Sequence, residues 1–396
     1  MATINQIYSL VNKTSNEMWG VSAPSVSDLS GLIALGEKIL PNGNWSPEAD
    51  NYLNSIVDKI GKTVIRTLKR RVDLKNFIKL PFEFGAILEK IDVQPLEAQE
   101  DNSWNIGKND YSTNYFEVYK PNVSSSVFTG IDSWTVHVTI PDVMFKTAFS
   151  SESKLSSFYS AILDSMTGTI EGQVNKMNHI CLSNFIAEKV KAENGVVNLV
   201  SLYNDLFNKE VPAGELAQFD NDFMKWASYT INNYVDYIAD EAVFYNTEKK
   251  VRSTSRDNAH IIFLKSFTSA ITSHLESGTF HNELVKLPLY DTINYFQFNA
   301  DTFASRSGIN IIPSSEKDKA EKTPIVLSNI IGVIADRMAL GTTIHERWSA
   351  SDRINTERRT NYAEGANIGY FNDLSENGII FTLNWFFVTW VTKHNL

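Results

Sequence analysis

The sequence predicts an α+β chain organised around one very long helix, and three patterns carry that prediction. Leu155, Phe158, Tyr159, Ile162, Leu163, Met166, Ile170, Val174, Met177, Cys181 and Phe185 recur at the spacing of a single helix face. Trp134, Val136, Val138 and Ile140 alternate with Thr135, His137 and Thr139, the period of a strand with one face covered. His260 to Leu264, Ile330 to Ala335 and Ile379 to Val391 are apolar runs that read as buried strands.

Taken in order, the first fifty residues are polar and broken by Pro24, Pro41, Gly43 and Pro47. They read as an arm with little core, although Ser27 or Asp28 could cap a helix carrying Leu32, Leu35 and Ile39. From Asn51 a helix is expected, with Leu53, Ile56, Val57, Ile60 and Val64 on one face and the basic cluster Lys69, Arg70 and Arg71 at its end. A β-rich excursion follows. Phe82, Phe84, Ala86 and Leu88 alternate outward, Glu97, Glu100 and Asp101 mark a tip, and the Trp134 strand returns. A ribbon of this kind is marginal alone in water and needs something to lie on. The long helix then runs to Glu193-Asn194-Gly195, with Ser150 or Ser151 as its start and Gly195 as its stop. At about 1.5 Å per residue it is a rod of roughly 60 Å. Residues 196 to about 335 read as a mixed unit with an aromatic helix (Phe219, Phe223, Trp226, Tyr229, Tyr234, Tyr237), expected to face a core. A charged loop, Ser314 to Thr323, is expected to be exposed.

The 396 residues with 43% hydrophobic and 21% charged content suit a packed chain of more than one domain and exclude wholesale disorder. A net charge of -10 argues against a dedicated nucleic-acid binder. The single cysteine, Cys181, excludes an intrachain disulfide framework and a multi-cysteine zinc site. No signal peptide or membrane span is expected, so the chain is assigned to a reducing cytoplasm or to release by lysis.

Catalytic signatures fail. Gly61-Lys62-Thr63 ends like a phosphate-binding loop, but Ile56 stands where its first glycine belongs. His260, His274 and His281 lack metal-ligand spacing and read as scattered structural histidines. Cys181 sits on the apolar stripe and reads as an inert buried thiol. No catalytic residue, cofactor or metal is expected.

The order of these elements resembles the major capsid proteins of tailed phages with the Hong Kong 97-type fold, closest to small podoviruses that prime DNA replication with a protein. The resemblance rests on Ser55 to Gly61 with Val64-Ile65-Arg66 and Leu74 to Phe77, and on Ile140-Pro141-Asp142 with Lys146 to Phe149. It continues in His260 to Leu264, Gly278-Thr279-Phe280, Val285 to Ile293, Ile334 to Met338 and Asp352 to Asn355. It implies an N-terminal arm (1–50), a helix leading to an extended loop (51–78), and the extended β-loop itself (79–140). A peripheral domain with the spine helix (141–197), an axial domain (198–335) and return strands of the peripheral domain (336–396) follow. The implied role is structural: pentamers and hexamers of a head enclosing DNA, with a scaffolding protein and a portal as partners, no membrane, and a place in the virion after assembly in the host cytoplasm. An encapsulin-like shell around a protein cargo is the alternative. No appended immunoglobulin-like domain is expected, so roles tied to one are not carried over.

Charge adds one more expectation: Lys69, Arg70 and Arg71 of one subunit pair with Glu97, Glu100 and Asp101 of a neighbour, offsetting the repulsion between acidic subunits. No lysine–asparagine crosslink could be matched to specific residues; Lys108 lies in the arm without an identifiable partner. Shells are therefore expected to be held without covalent links.

Overall fold

A computed structural model describes residues 4–20, 23–41, 48, 49, 51, 52, 55, 74, 88–96, 120–141, 152–278, 290–319, 322–354 and 357–384. In chain order the elements are α1 (Ile4–Trp19), α2 (Leu29–Ile39), β1 (Leu88–Val93), β2 (Val123–Phe128), β3 (Gly130–Pro141), α3 (Glu152–Lys191), β4 (Val196–Asn198), α4 (Leu199–Phe207), α5 (Asn221–Tyr237), β5 (Ala259–Leu264), α6 (Lys265–Gly278), β6 (Asp291–Ile293), β7 (Ile309–Ile311), β8 (Ile325–Leu327), β9 (Ile330–Asp336), β10 (Leu340–Ile354), β11 (Arg359–Asn372) and β12 (Gly378–Thr382). The chain forms two compact units, one of residues 1–83, 131–178 and 342–369, the other of 84–130, 179–341 and 370–396.

In the first unit, strands β10, β11 and β3 make a three-stranded sheet in that order. The alternation of β3 is realised: Trp134, Val136 and Val138 are half-buried, Ile140 is buried, and Thr135, His137 and Thr139 face solvent. The exposed side is laced by polar bonds between strands, Ser133 to Asn367 at 2.7 Å and Thr139 to Asn361 at 2.8 Å. The N-terminal arm has more core than its broken, polar sequence suggests. It carries α1 and α2, with Val11, Leu32, Leu35 and Ile39 fully buried. Asp28 caps α2 through the Gly31 N–H, as the sequence suggests. Asn12 grips the chain before that cap, donating to the Val26 carbonyl at 2.9 Å and accepting its N–H at 2.7 Å.

Helix α3 is the predicted rod, 40 residues long. Met166, Ile170, Val174, Met177, Cys181 and Phe185 of its stripe are buried; the side chains from Leu155 to Leu163 lie outside the described residues. Its stop differs from expectation. Glu193 (φ 50°) is the left-handed residue that ends the helix, and the N–H groups of Glu193 and Asn194 bond the carbonyls of Val190 and Lys189, a Schellman cap built without glycine. Gly195 (φ +68°) is used one step later, where a Cβ would collide with the Gly378 carbonyl oxygen. That close approach seats β4 beside β12.

The second unit is centred on a five-stranded mixed sheet, β4-β12-β9-β5-β6. Strand β9 is central, antiparallel to both β12 and β5, while β4 and β6 pair in parallel on the outside. Every residue of β9 and β12 is buried, which explains why these strands read as unbroken apolar runs rather than alternations. The aromatic helix α5 is only partly core: Phe223 is buried, whereas Tyr229, Tyr237 and the preceding Phe219 are exposed. The loop expected to be exposed is partly tied down. Ser314 and Ser315 bond Glu188, and Glu316 is buried and paired with Lys191 and Lys319.

Two buried groups on α3 need their own account. Lys189 is fully buried, donates to the Tyr245 carbonyl and to Asn194 Oδ1, and burial brings its ammonium down to about 7. Cys181 lies 2.8 Å from Asn372 Oδ1, and burial pushes its thiol up to about 12. A thiolate is the reactive form. A maleimide should therefore leave the native subunit unlabelled and modify it fully after denaturation; rapid labelling of the native chain would contradict this placement.

Candidate interaction surface

Among the described residues no group of three or more His, Cys, Asp or Glu side chains could hold a metal ion, and no helix is long and apolar enough to cross a membrane. The feature that calls for a function is instead the hairpin β1–β2. Its register pairs Leu88 with Phe128, Lys90 with Ser126, Asp92 with Ser124 and Val93 with Val123. Alternate side chains of a strand point to opposite faces, so Lys90, Asp92, Gln94, Ser124 and Ser126 share one face with Leu88 and Phe128, while Ile91, Val93, Val123 and Val127 share the other with Glu89 and Ser125.

The polar face is the one turned inward. Ile91 is 67% exposed, Val93 58%, Val127 56% and Val123 52%, and Leu96 just beyond β1 is 66% exposed. Single exposed aliphatics are ordinary, but a ribbon that shows four aliphatic side chains beside only Glu89 and Ser125, and turns Lys90 and Asp92 inward, is not. Val93 and Val123 stand directly opposite each other, with Ile91 and Val127 as near neighbours on the same face. Fully burying one such side chain is worth about 1.5–3 kcal/mol, so a partner covering four of them gains several kcal/mol before ordering costs.

What the inward face meets is a network of charges. The Lys90 ammonium bonds both Asp373 and Glu376. Asp92 receives Arg252 at 2.8 Å and Lys250 at 3.2 Å, and Arg252 also lies 3.5 Å from Glu376. Lys250 in turn pairs with the more exposed Glu248 at 2.8 Å. Neutral groups complete the contact. Gln94 donates to Asp92 at 2.9 Å and accepts the Val251 N–H at 3.1 Å. Lys250 bonds Ser124 at 2.9 Å, and the Arg252 Nε donates to the Ser375 carbonyl at 3.2 Å.

The receiving segments are themselves fastened, Ala242 to Arg252 by two backbone bonds and Thr247 to the Leu374 carbonyl. The Arg252 guanidinium, with Lys250 and Gln94, holds the Asp92 carboxyl well below the usual carboxylate range. Burial by itself would lower Lys90 and Arg252, but the carboxylates beside them outweigh it and raise both.

The hairpin lies within the expected excursion, but its charged contacts fall on residues other than those expected to pair. Lys69, Arg70, Arg71, Glu97, Glu100 and Asp101 all lie outside the described residues, as do Lys108 and His281. His260 and His274 make ordinary structural bonds, to Asp291 at 2.9 Å and to the Gln218 carbonyl at 2.8 Å. The missed residues are Lys90, Asp92, Lys250, Arg252, Asp373 and Glu376. The one local signal was opposite charges at Lys90 and Asp92, two apart and hence on one strand face.

The family model for the Phi29-like phage major capsid protein matches residues 11–382. The major capsid protein of Bacillus phage PZA is 26% identical over 188 residues, 47% of this chain, and the match covers only 40% of that protein. Among solved structures, a chain from the head fibre and inner core structure of bacteriophage P68 is 9% identical, with 80% of this chain and 87% of that one covered and a TM-score of 0.49. A chain from the capsid structure of Staphylococcus phage Andhra is 10% identical, with 80% and 87% covered and a TM-score of 0.45. With the family model spanning all but the ends of the sequence, the chain belongs to the Phi29-like phage major capsid proteins.

Proposed function

We propose that many copies of this chain close into the shell of a phage head that encloses the DNA genome, meeting one another in part through the aliphatic face of the β1–β2 hairpin. The hairpin carries this reading: its inward charges, Lys90 and Asp92, are satisfied within the subunit, and Ile91, Val93, Val123 and Val127 are left for another chain. The role is structural, without catalysis. Pentamers and hexamers of the chain, a scaffolding protein during assembly and a portal at one vertex are the partners that go with it. A net charge of -10 suits a wall that touches packaged DNA weakly and without sequence preference. The subunits would assemble in the host cytoplasm and end in the virion. Membership of a phage capsid family favours this reading over an encapsulin-like shell around a protein cargo.

Sedimentation of particles purified from infected cells, followed at the nucleic-acid and protein absorbance bands, separates the readings. Fast-sedimenting particles built mainly of this chain and rich in nucleic acid are expected. Particles of the same size filled with protein would favour the cargo shell, and a slow soluble species alone would overturn both.

A further inference from the structure

We infer that the charge network beneath the hairpin is an orienting bracket, which holds β1–β2 polar face down so that a free subunit already presents its aliphatic face outward. The inference rests on the reading that this face meets a second copy. Every polar side chain on the inward face that reaches the rest of the unit does so into two short segments, 248–252 and 373–376. Lys90 spans Asp373 and Glu376, Asp92 spans Arg252 and Lys250, and Gln94 and Ser124 bond Val251 and Lys250.

Three cations (Lys90, Lys250, Arg252) face three largely buried carboxylates (Asp92, Asp373, Glu376), with Glu248 at the rim. Such balance makes the docked pose specific. Turning the hairpin over would bury Ile91 and Val93 against charges and take Lys90 from Asp373 and Glu376, and Asp92 from Arg252 and Lys250. Slipping the strand by one residue would do the same, because each side chain changes face. Buried ion pairs are weak as net stabilisers but strong as selectors of one geometry, since a charge left buried alone is costly. A preset pose lowers the ordering cost of association.

The bracket has a defined range of conditions. Asp92 is held low by Arg252 and Lys250. Its contribution is therefore present above the unfolded carboxylate value of about 3.9 and is lost only as pH falls below it. Largely buried pairs are also weakly screened by salt. Changing the medium from neutral to about pH 5, or adding salt to about 0.5 M, should leave the hairpin docked.

Hydrogen exchange of unassembled subunits tests this without reference to shells. Relative to the native chain, Asp92→Asn and Arg252→Gln should speed exchange of the β1 and β2 amides by about tenfold or more, with β9 and β12 unchanged, while Asp92→Glu retains most of the protection. The same two variants should assemble at least about tenfold more slowly by light scattering. Unchanged exchange at β1–β2, or exchange raised throughout the unit, would overturn the bracket. Faster assembly after release would overturn it too, since the network would then be restraining the hairpin. An outer-face control, Ile91→Asp, should leave exchange untouched. If that variant still assembles, the reading of the aliphatic face fails, and the exchange data still decide whether the bracket exists.

Discussion

Gly195→Val is expected to destroy the folded second unit. Gly195 sits at φ +68°, where a side chain costs about 1–2 kcal/mol and a β-branched one more. Its missing Cβ is occupied by the Gly378 carbonyl oxygen, a backbone atom that no rotamer change can move aside. Relief requires β12 to shift, which breaks the bond from the Ile380 N–H to the Gly195 carbonyl at 2.7 Å and the parallel pairing of Val196 with Ile380. We expect a loss of at least about 3 kcal/mol, a fall in Tm of roughly 10 °C, or failure to accumulate soluble protein. Gly172→Ala supplies the opposite sign. It lies within α3, nothing stands within 4 Å of the added methyl, and a helix gains up to about 1 kcal/mol from the change. Calorimetry of both variants checks the pair. Equal midpoints for Gly195→Val and the native chain would show that β4 is not seated as described.

The second large effect is on assembly rather than folding. The double change Ile91→Asp with Val127→Asp places two carboxylates on the outer face of the hairpin, where both side chains are more than half exposed. Within the subunit the cost is modest, about 1 kcal/mol per change, since aspartate is a poor strand former and the carboxylate at 127 would face Glu89 across the pair. In an interface the same carboxylates would have to be desolvated without partners, a penalty of several kcal/mol repeated at every subunit contact. Closed shells should disappear while the monomer keeps its circular dichroism and melts within several degrees of the native chain. Normal yields of shells from the double variant would remove the hairpin face from the assembly contacts.

The parts of this fold that were legible in the sequence share one property: their burial is decided within the element. The unbroken run of β9, the stripe of α3 from Met166 to Phe185 and the cap at Asp28 need no knowledge of distant residues. The errors fall where a distant contact decides. Alternation in β1 announces two faces but does not say which looks inward. That choice is made by Arg252, Asp373 and Glu376, more than a hundred residues further along the chain.

Gly195 looked like a helix stop because glycine favours the left-handed region. The stop belongs to Glu193, and the glycine is needed for contact with Gly378. Aromatic side chains misled for a different reason. Tyr229 and Tyr237 carry an apolar body and a polar tip, and suit an exposed face of α5 as well as a core. The N-terminal helices were under-read because their buried set, Val11 with Leu32, Leu35 and Ile39, is split between two short segments across a proline.

Photocrosslinking from the two faces of the hairpin addresses most directly which of them meets another subunit. Benzoylphenylalanine would replace Ile91 on the outer face in one preparation and Ser126, opposite Lys90 on the inner face, in another. Assembled particles would be irradiated and then boiled in detergent. Position 91 should yield covalent dimers, and position 126 only monomer-sized, internally linked chains. Dimers from position 126 with none from position 91 would mean that the polar face meets the neighbouring subunit and that the hairpin is turned over in the shell.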